Sequence, residues 1–151
     1  MTKTPMIVDI SEKSTIIRRA SASGVLCVSP MVVSKVHEGA TEKGDVRNSA
    51  SLAAILAVKK TPLSLPHCHP IPIEGCNVEW QNVENGLKCI VTVSTTSKTG
   101  VEMEALSGVS TALLCAWDML KPILKDSTGQ YPETRISDVA VITKVKIPTE
   151  N

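Results

Sequence analysis

Lys98-Thr-Gly-Val-Glu-Met-Glu-Ala-Leu106, with the run that follows it to Lys121, decides how the chain is read. The Thr99-Gly100 pair marks a turn, and no proline interrupts the sequence until Pro122, so the spacing predicts a helix entered from that turn. Val101, Leu106, Val109, Leu113, Leu120 and Ile123 recur at roughly helical spacing and give it a core face. A second stripe of about the same period holds Glu104, Ser107, Gly108, Thr111, Cys115, Asp118 and Lys121. Its small residues would let another chain or a ligand lie against the helix, with acid and base at the two ends. Glu104 and Asp118 lie close to four turns apart, about 21 Å along the axis, so one small ligand cannot touch both from one helix. Either the ligand is long, or another part of the fold or a second subunit completes the site. Asp118 and Lys121, at i and i+3, can meet directly. A merely solvated amphipathic helix would carry the same charges, and the helix alone does not choose between these readings.

Outward from this helix, helical and strand patterns mix. Residues 15–28 read as a strand, or a strand pair broken at Gly24. Pro30 can begin a short helix ending near Gly39. Asp45 is a fair N-cap for a second helix to Lys60, with Leu52, Ile55, Leu56, Val58 and several alanines as its packing face. Pro62, Pro66, Pro70 and Pro72 predict an extended link. Residues 78–83 and 87–94 flank Glu84-Asn85-Gly86, a hairpin signal, and residues 136–147 alternate as a final strand. This combination predicts an α+β two-layer sandwich in which helices pack an antiparallel sheet. No repeat or domain-sized linker divides residues 1–151, so one domain is expected, with residues 1–13 partly flexible.

Composition narrows the function. With 151 residues, 42% of them hydrophobic, and a net charge of +1, the chain has the makings of a real core and no basic excess for nucleic acid. No apolar run approaches the roughly 20 residues of a membrane span, and no secretory apolar region opens the chain. Five cysteines without paired motif spacing argue for a reducing cytoplasm rather than a disulfide framework. Phe is absent and only Trp80, Trp117 and Tyr131 are aromatic, which poorly supports stacking on several bases of a single strand.

His67-Cys-His-Pro70 is the next informative cluster. In extended backbone His67 and His69 would point the same way, a spacing compatible with a metal, but no third or fourth ligand is evident nearby and no metal is expected. A histidine on proline-stiffened backbone is better suited to contact a phosphate or shuttle a proton. A loop histidine without a role fits the same residues. Lys43, just before a helix start, is a reasonable anion contact, or simply a surface lysine. P-loop, dinucleotide-binding and nucleophile-elbow motifs are absent.

Met6-Ile-Val-Asp-Ile10, Lys43-Gly-Asp-Val46, Cys68-His-Pro70, the Lys98–Leu106 run and Asp118-Met119 together resemble the molybdenum cofactor biosynthesis protein C family, the cyclic pyranopterin monophosphate synthases. The matches keep family order from about residue 6 to residue 146. The resemblance implies a ferredoxin-like fold and a lyase acting on the cyclised GTP intermediate 3',8-cyclo-7,8-dihydro-GTP, the product of a radical-SAM GTP cyclase. The purine part becomes a pterin, a cyclic phosphate forms and pyrophosphate leaves, with no cofactor required. A hexamer built as a trimer of dimers, with sites at subunit interfaces, is also implied. Carried over by motif, Asp118 is the catalytic acid/base, with Lys121 beside it and Lys43 as a further catalytic or phosphate-contacting lysine. Cys68, His69, Glu102, Met103, Glu104 and Lys144 would line the substrate site. His67 stands where the family has leucine, so its place in that lining is a departure. The glycine- and lysine-rich tail common in the family is missing, which leaves its contacts to Lys144 or Lys146.

Overall fold

Seven elements appear in the computed structural model, which describes residues 2–149. Met1 of the segment expected to be flexible, and the last two residues of the expected 1–151 domain, lie outside the described residues. In chain order the elements are β1 (Ile16–Cys27), α1 (Pro30–His37), α2 (Val46–Ser64), β2 (Gly75–Val83), β3 (Gly86–Ser97), α3 (Glu102–Leu124) and β4 (Arg135–Ile147). The sheet order is β2-β3-β1-β4, and every neighbouring pair is antiparallel. Two β-α-β passes interleaved in this order make the ferredoxin-like α+β sandwich. Glu84 and Asn85 turn β2 into β3, with Val83 opposite Gly86.

The helical layer covers one face of the sheet, where α3 lies on β1 and β3 and α2 lies against α3. Ala22, Leu26, Val91 and Val93 from the strands meet Val58 from α2 and Val109, Ala112 and Leu113 from α3, all buried. With no Phe to fill space, the layers approach closely through small side chains. A Cβ on Gly108 would stand 2.9 Å from Val58 Cγ2 and 3.0 Å from Val91 Cγ1.

That close approach overturns two expectations, and the structure decides a third reading that was left open. Leu52 and Leu56 are 64% and 53% exposed rather than packed, because the α2–α3 contact admits only Ala50, Ala54, Val58 and Thr61. Gly108 is buried under α2 and β3, so the small-residue stripe of α3 is not one open groove. Nor is β1 broken at Gly24. It runs through, and Asp138 and Val139 of β4 stand against Gly24 alone in a bulge where Asp138 takes φ 55°.

Both interior prolines lie inside helices instead of ending them. Pro62 belongs to α2, and the Val58 carbonyl that it leaves without an amide partner lies 3.1 Å from the Thr61 hydroxyl. That hydroxyl is also 2.9 Å from the Ala57 carbonyl, so a single proton serves both acceptors. The extended link therefore starts after Ser64. In α3, Pro122 sits in the last turn, with a consequence for the site.

Candidate active site

The C-terminal end of α3 gathers Lys43, Asp118 and Lys121. Lys121 Nζ lies 2.9 Å from Asp118 Oδ1, and Lys43 Nζ lies 3.7 Å from Oδ2. An α-helical amide normally bonds the carbonyl four residues back, so Pro122 deprives the Asp118 carbonyl of its donor. Lys43 supplies one, donating to that oxygen at 3.1 Å. Lys43 reaches it from the turn before α2, where Gly44 takes φ 99° and Asp45 caps the helix by accepting from Asn48 N at 3.0 Å. It thus serves the far end of α3, not the amides of its own helix start. The hydrogen bond and charge of Lys121, then the charge of Lys43, hold the Asp118 carboxyl below its usual range. Asp118 in turn holds the Lys121 ammonium above its own. The group is a carboxylate kept ionised between two cations, on a surface open to solvent.

The N-terminal end of α3 carries the acids, where the helix dipole favours them. Glu102 Oε1 pairs with Lys144 Nζ of β4 at 2.7 Å. Burial works against the Glu102 carboxylate, but the Lys144 hydrogen bond and charge, with the charge of Arg18, carry it below its usual range. Arg18 is buried and fixed by donating to the Ser97 carbonyl at 3.2 Å and the Lys98 carbonyl at 3.3 Å. Glu104 behaves oppositely. It is 3% exposed, its Oε2 has no hydrogen-bond partner among the described residues, and burial pushes its carboxyl up. Burial, with the nearby Glu104 charge, also raises the Cys68 thiol. Met103 is exposed on the same turn.

His67 and His69 point to the same neighbour, the N-terminal segment. His67 Nδ1 is 2.6 Å from the Met6 carbonyl and His69 Nε2 is 2.7 Å from that of Val8, so each ring donates to a main-chain oxygen. Lys98 Nζ donates to the Ser11 carbonyl at 3.0 Å beside them. Among the described residues no group of three His, Cys, Asp or Glu side chains is placed to hold a metal.

Eight of the ten predicted residues therefore form two groups, at opposite ends of α3, while His67 and His69 bond the N-terminal segment. One is Lys43, Asp118 and Lys121; the other is Glu102, Met103, Glu104 and Lys144, with Cys68 beside Glu104. Two features escaped the sequence reading. Arg18, within the strand expected over residues 15–28, was not singled out. Trp117 and Tyr131, noted only as rare aromatics, meet edge to face at 5.4 Å and with Leu114 line a shallow depression of about 410 Å³ beside Asp118 and Lys121. The depression lined by Cys27, Ser29, Asn85 and Arg135, of about 430 Å³, holds none of the predicted residues.

Residues 7–146 match the model of the MoaC family. A protein of Methanosarcina acetivorans named "Probable cyclic pyranopterin monophosphate synthase" is 49% identical over 140 residues, 93% of this chain and 89% of that protein. Proteins of the same name from Aeropyrum pernix and Pyrococcus abyssi are 50% and 46% identical over 93% of this chain, covering 96% and 88% of their own lengths. The chain belongs to the MoaC family.

Proposed function

We propose that this member of the MoaC family is a cyclic pyranopterin monophosphate synthase of molybdenum cofactor biosynthesis. It is a lyase that converts 3',8-cyclo-7,8-dihydro-GTP to cyclic pyranopterin monophosphate and releases pyrophosphate. The observation that carries the chemistry is the ionised Asp118 held between Lys43 and Lys121. A carboxylate so placed is ionised and can accept a proton, although the lysines lower its basicity, while the two ammonium groups cover the negative charge of a triphosphate and of the departing pyrophosphate. Glu104 has the complementary property, a buried carboxyl biased toward its protonated form and able to give a proton back.

Those two groups cannot meet on one chain. They share α3 but lie about 21 Å apart along it. An antiparallel pairing of α3 with α3 of a second copy, about an axis near Thr111, would lay the acidic end of each helix against the lysine end of the other. Exposed Met103 and Leu114 flank the half-buried Ser107 and Ser110 on the surface such a contact would use. The proposed enzyme is thus a homo-oligomer with each site shared by two subunits, and the family resemblance implies that it is a hexamer, a trimer of dimers. His69, Cys68, Glu102, Met103 and Lys144 line the half brought by the second subunit. His67, bonded to Met6, belongs to the wall of that half. The enzyme works in the cytoplasm after a radical-SAM GTP cyclase and needs no cofactor of its own. Among the described residues no helix is long and apolar enough to cross a membrane.

The test is a coupled assay in which the product of the GTP cyclase is incubated with this protein. Formation of cyclic pyranopterin phosphate with an equal amount of pyrophosphate supports the reading. Tight binding of the intermediate without turnover, by folded protein, contradicts it and leaves a binding module.

A further inference from the structure

We propose that Trp117, braced by Tyr131, is the surface on which the flat ring system of the substrate stacks, making it a substrate-binding residue of the Asp118 site. The inference rests on the nucleotide-derived substrate proposed above and adds where its ring system lies. The chain holds three aromatic residues in 151, so their placement is informative. Both tryptophans pack partly on the core, but among the described residues only Trp80 has a polar partner there, its indole donating to Ser51 Oγ at 2.9 Å. Trp117 and Tyr131 sit together beside the ionised carboxylate. Their ring centroids are 5.4 Å apart at an interplanar angle of 71°, so the edge of one ring meets the face of the other.

The surroundings fit a flat, electron-rich ring joined to phosphates. Leu114, Trp117 and Tyr131 give the depression its apolar side, while Asp118 and Lys121 give it a charged rim. Trp117 and Lys121 are four residues apart on one helix face, with Cβ atoms about 5–6 Å apart, a gap that a sugar can bridge between a ring and its phosphate. Tyr131 and Lys121 line the same depression, which ties the aromatic wall to the cation that would meet the phosphate. Stacking on an indole accepts any flat heterocycle, so the wall tolerates the change from purine to pterin, which specific hydrogen bonds to one ring would resist.

The experiment uses the full chain in its native oligomeric state with Trp80→Phe, leaving Trp117 as the one indole, and follows its emission with GTP and then inorganic triphosphate. The proposal expects saturable quenching by GTP and little by triphosphate, although triphosphate displaces GTP. In steady state Trp117→Leu should raise KM for the cyclised nucleotide by roughly five- to a hundredfold with kcat within a few-fold, and Trp117→Phe should recover most of the loss. An unchanged KM in an active Trp117→Leu enzyme, or no quenching while GTP binds, would overturn the stacking role and leave the activity standing. Quenching by GTP in a protein with no turnover would do the reverse, keeping the platform while the proposed reaction fails.

Discussion

Lys43 donates to the main-chain carbonyl of Asp118 at 3.1 Å, the one acceptor that Pro122 leaves without its helical donor. A proline inside the last turn of a helix is a local weakness, since it removes a hydrogen bond and crowds the carbonyl four residues before it. Here it also fixes the second lysine of the site. Pro122→Ala should restore an amide that competes with Lys43. Thermal unfolding should shift upward by a few degrees, about 2–4 °C for each kcal/mol gained, while kcat/KM falls several-fold. Loss of stability with activity unchanged would show that Lys43 is held by other means.

Asp118 should set the acid limb of the pH–activity profile. Its carboxyl lies below the usual range through the Lys121 hydrogen bond and the charges of Lys121 and Lys43, so the enzyme should stay active at pH values where an ordinary carboxylate is half protonated, about 4. Lys121→Met removes the largest of these causes and should move that limb upward as well as lowering kcat. Asp118→Asn should cost about a hundredfold or more in kcat. The stability linked to Asp118 has the sign of a depressed acid: present above its unfolded pKa, and lost as pH falls through the folded value.

Glu104 carries the opposite sign. Burial raises its carboxyl, so the folded chain holds the proton more tightly than the unfolded one, and stability falls as pH rises through that window. Glu104→Gln should therefore raise the melting temperature at neutral pH. The gain should vanish below the ordinary glutamate pKa of about 4.3, where both states are neutral. Activity should fall together with the gain in stability, because the same proton is the one the site would use. Calorimetry at two pH values checks the first point, and equal stabilisation at both would mean that Glu104 is not protonated preferentially in the fold.

Much of this was legible in the residues. The helix from the Thr99-Gly100 turn, the hairpin at Glu84-Asn85 and the last strand follow from local pattern, and their mixture fixes an α+β sandwich. What local pattern misassigned was set by contact between layers. Leu52 and Leu56 have the hydrophobicity of a packing face, yet the face of α2 that is buried carries only alanine, valine and a threonine, with Val58 against Gly108. Pro62 has the signature of a helix end, but a neighbouring threonine hydroxyl satisfies the carbonyl it orphans. In the site, i and i+3 spacing pairs Asp118 with Lys121 directly. Lys43 joins them from 75 residues away, a meeting that only the fold brings about.

Gly24 shows the same limit from the side of stability. A glycine in mid-strand reads as a break, but here it leaves room. An added Cβ would stand 2.9 Å from both Leu113 Cδ1 and Val139 Cγ2 and 3.0 Å from Val109 Cγ1. Gly24→Ala should cost about 1–3 kcal/mol, the usual range for forcing a methyl into a packed core. Denaturant unfolding would register it as a lower midpoint, and an unchanged midpoint would mean that the β1–β4 bulge absorbs the methyl.

The central claim is that the acid at one end of α3 and the carboxylate at the other end work in one site only across two subunits. Mixing inactive Asp118→Asn and Glu104→Gln proteins under conditions that exchange subunits tests it directly. If each site takes one end from each chain, half of the dimers in an equal mixture are hybrids, each with one intact site. Activity should then return to about a quarter of wild type. If the site lies within a single chain, every chain in the mixture carries a lesion, and activity stays at the level of the separate mutants.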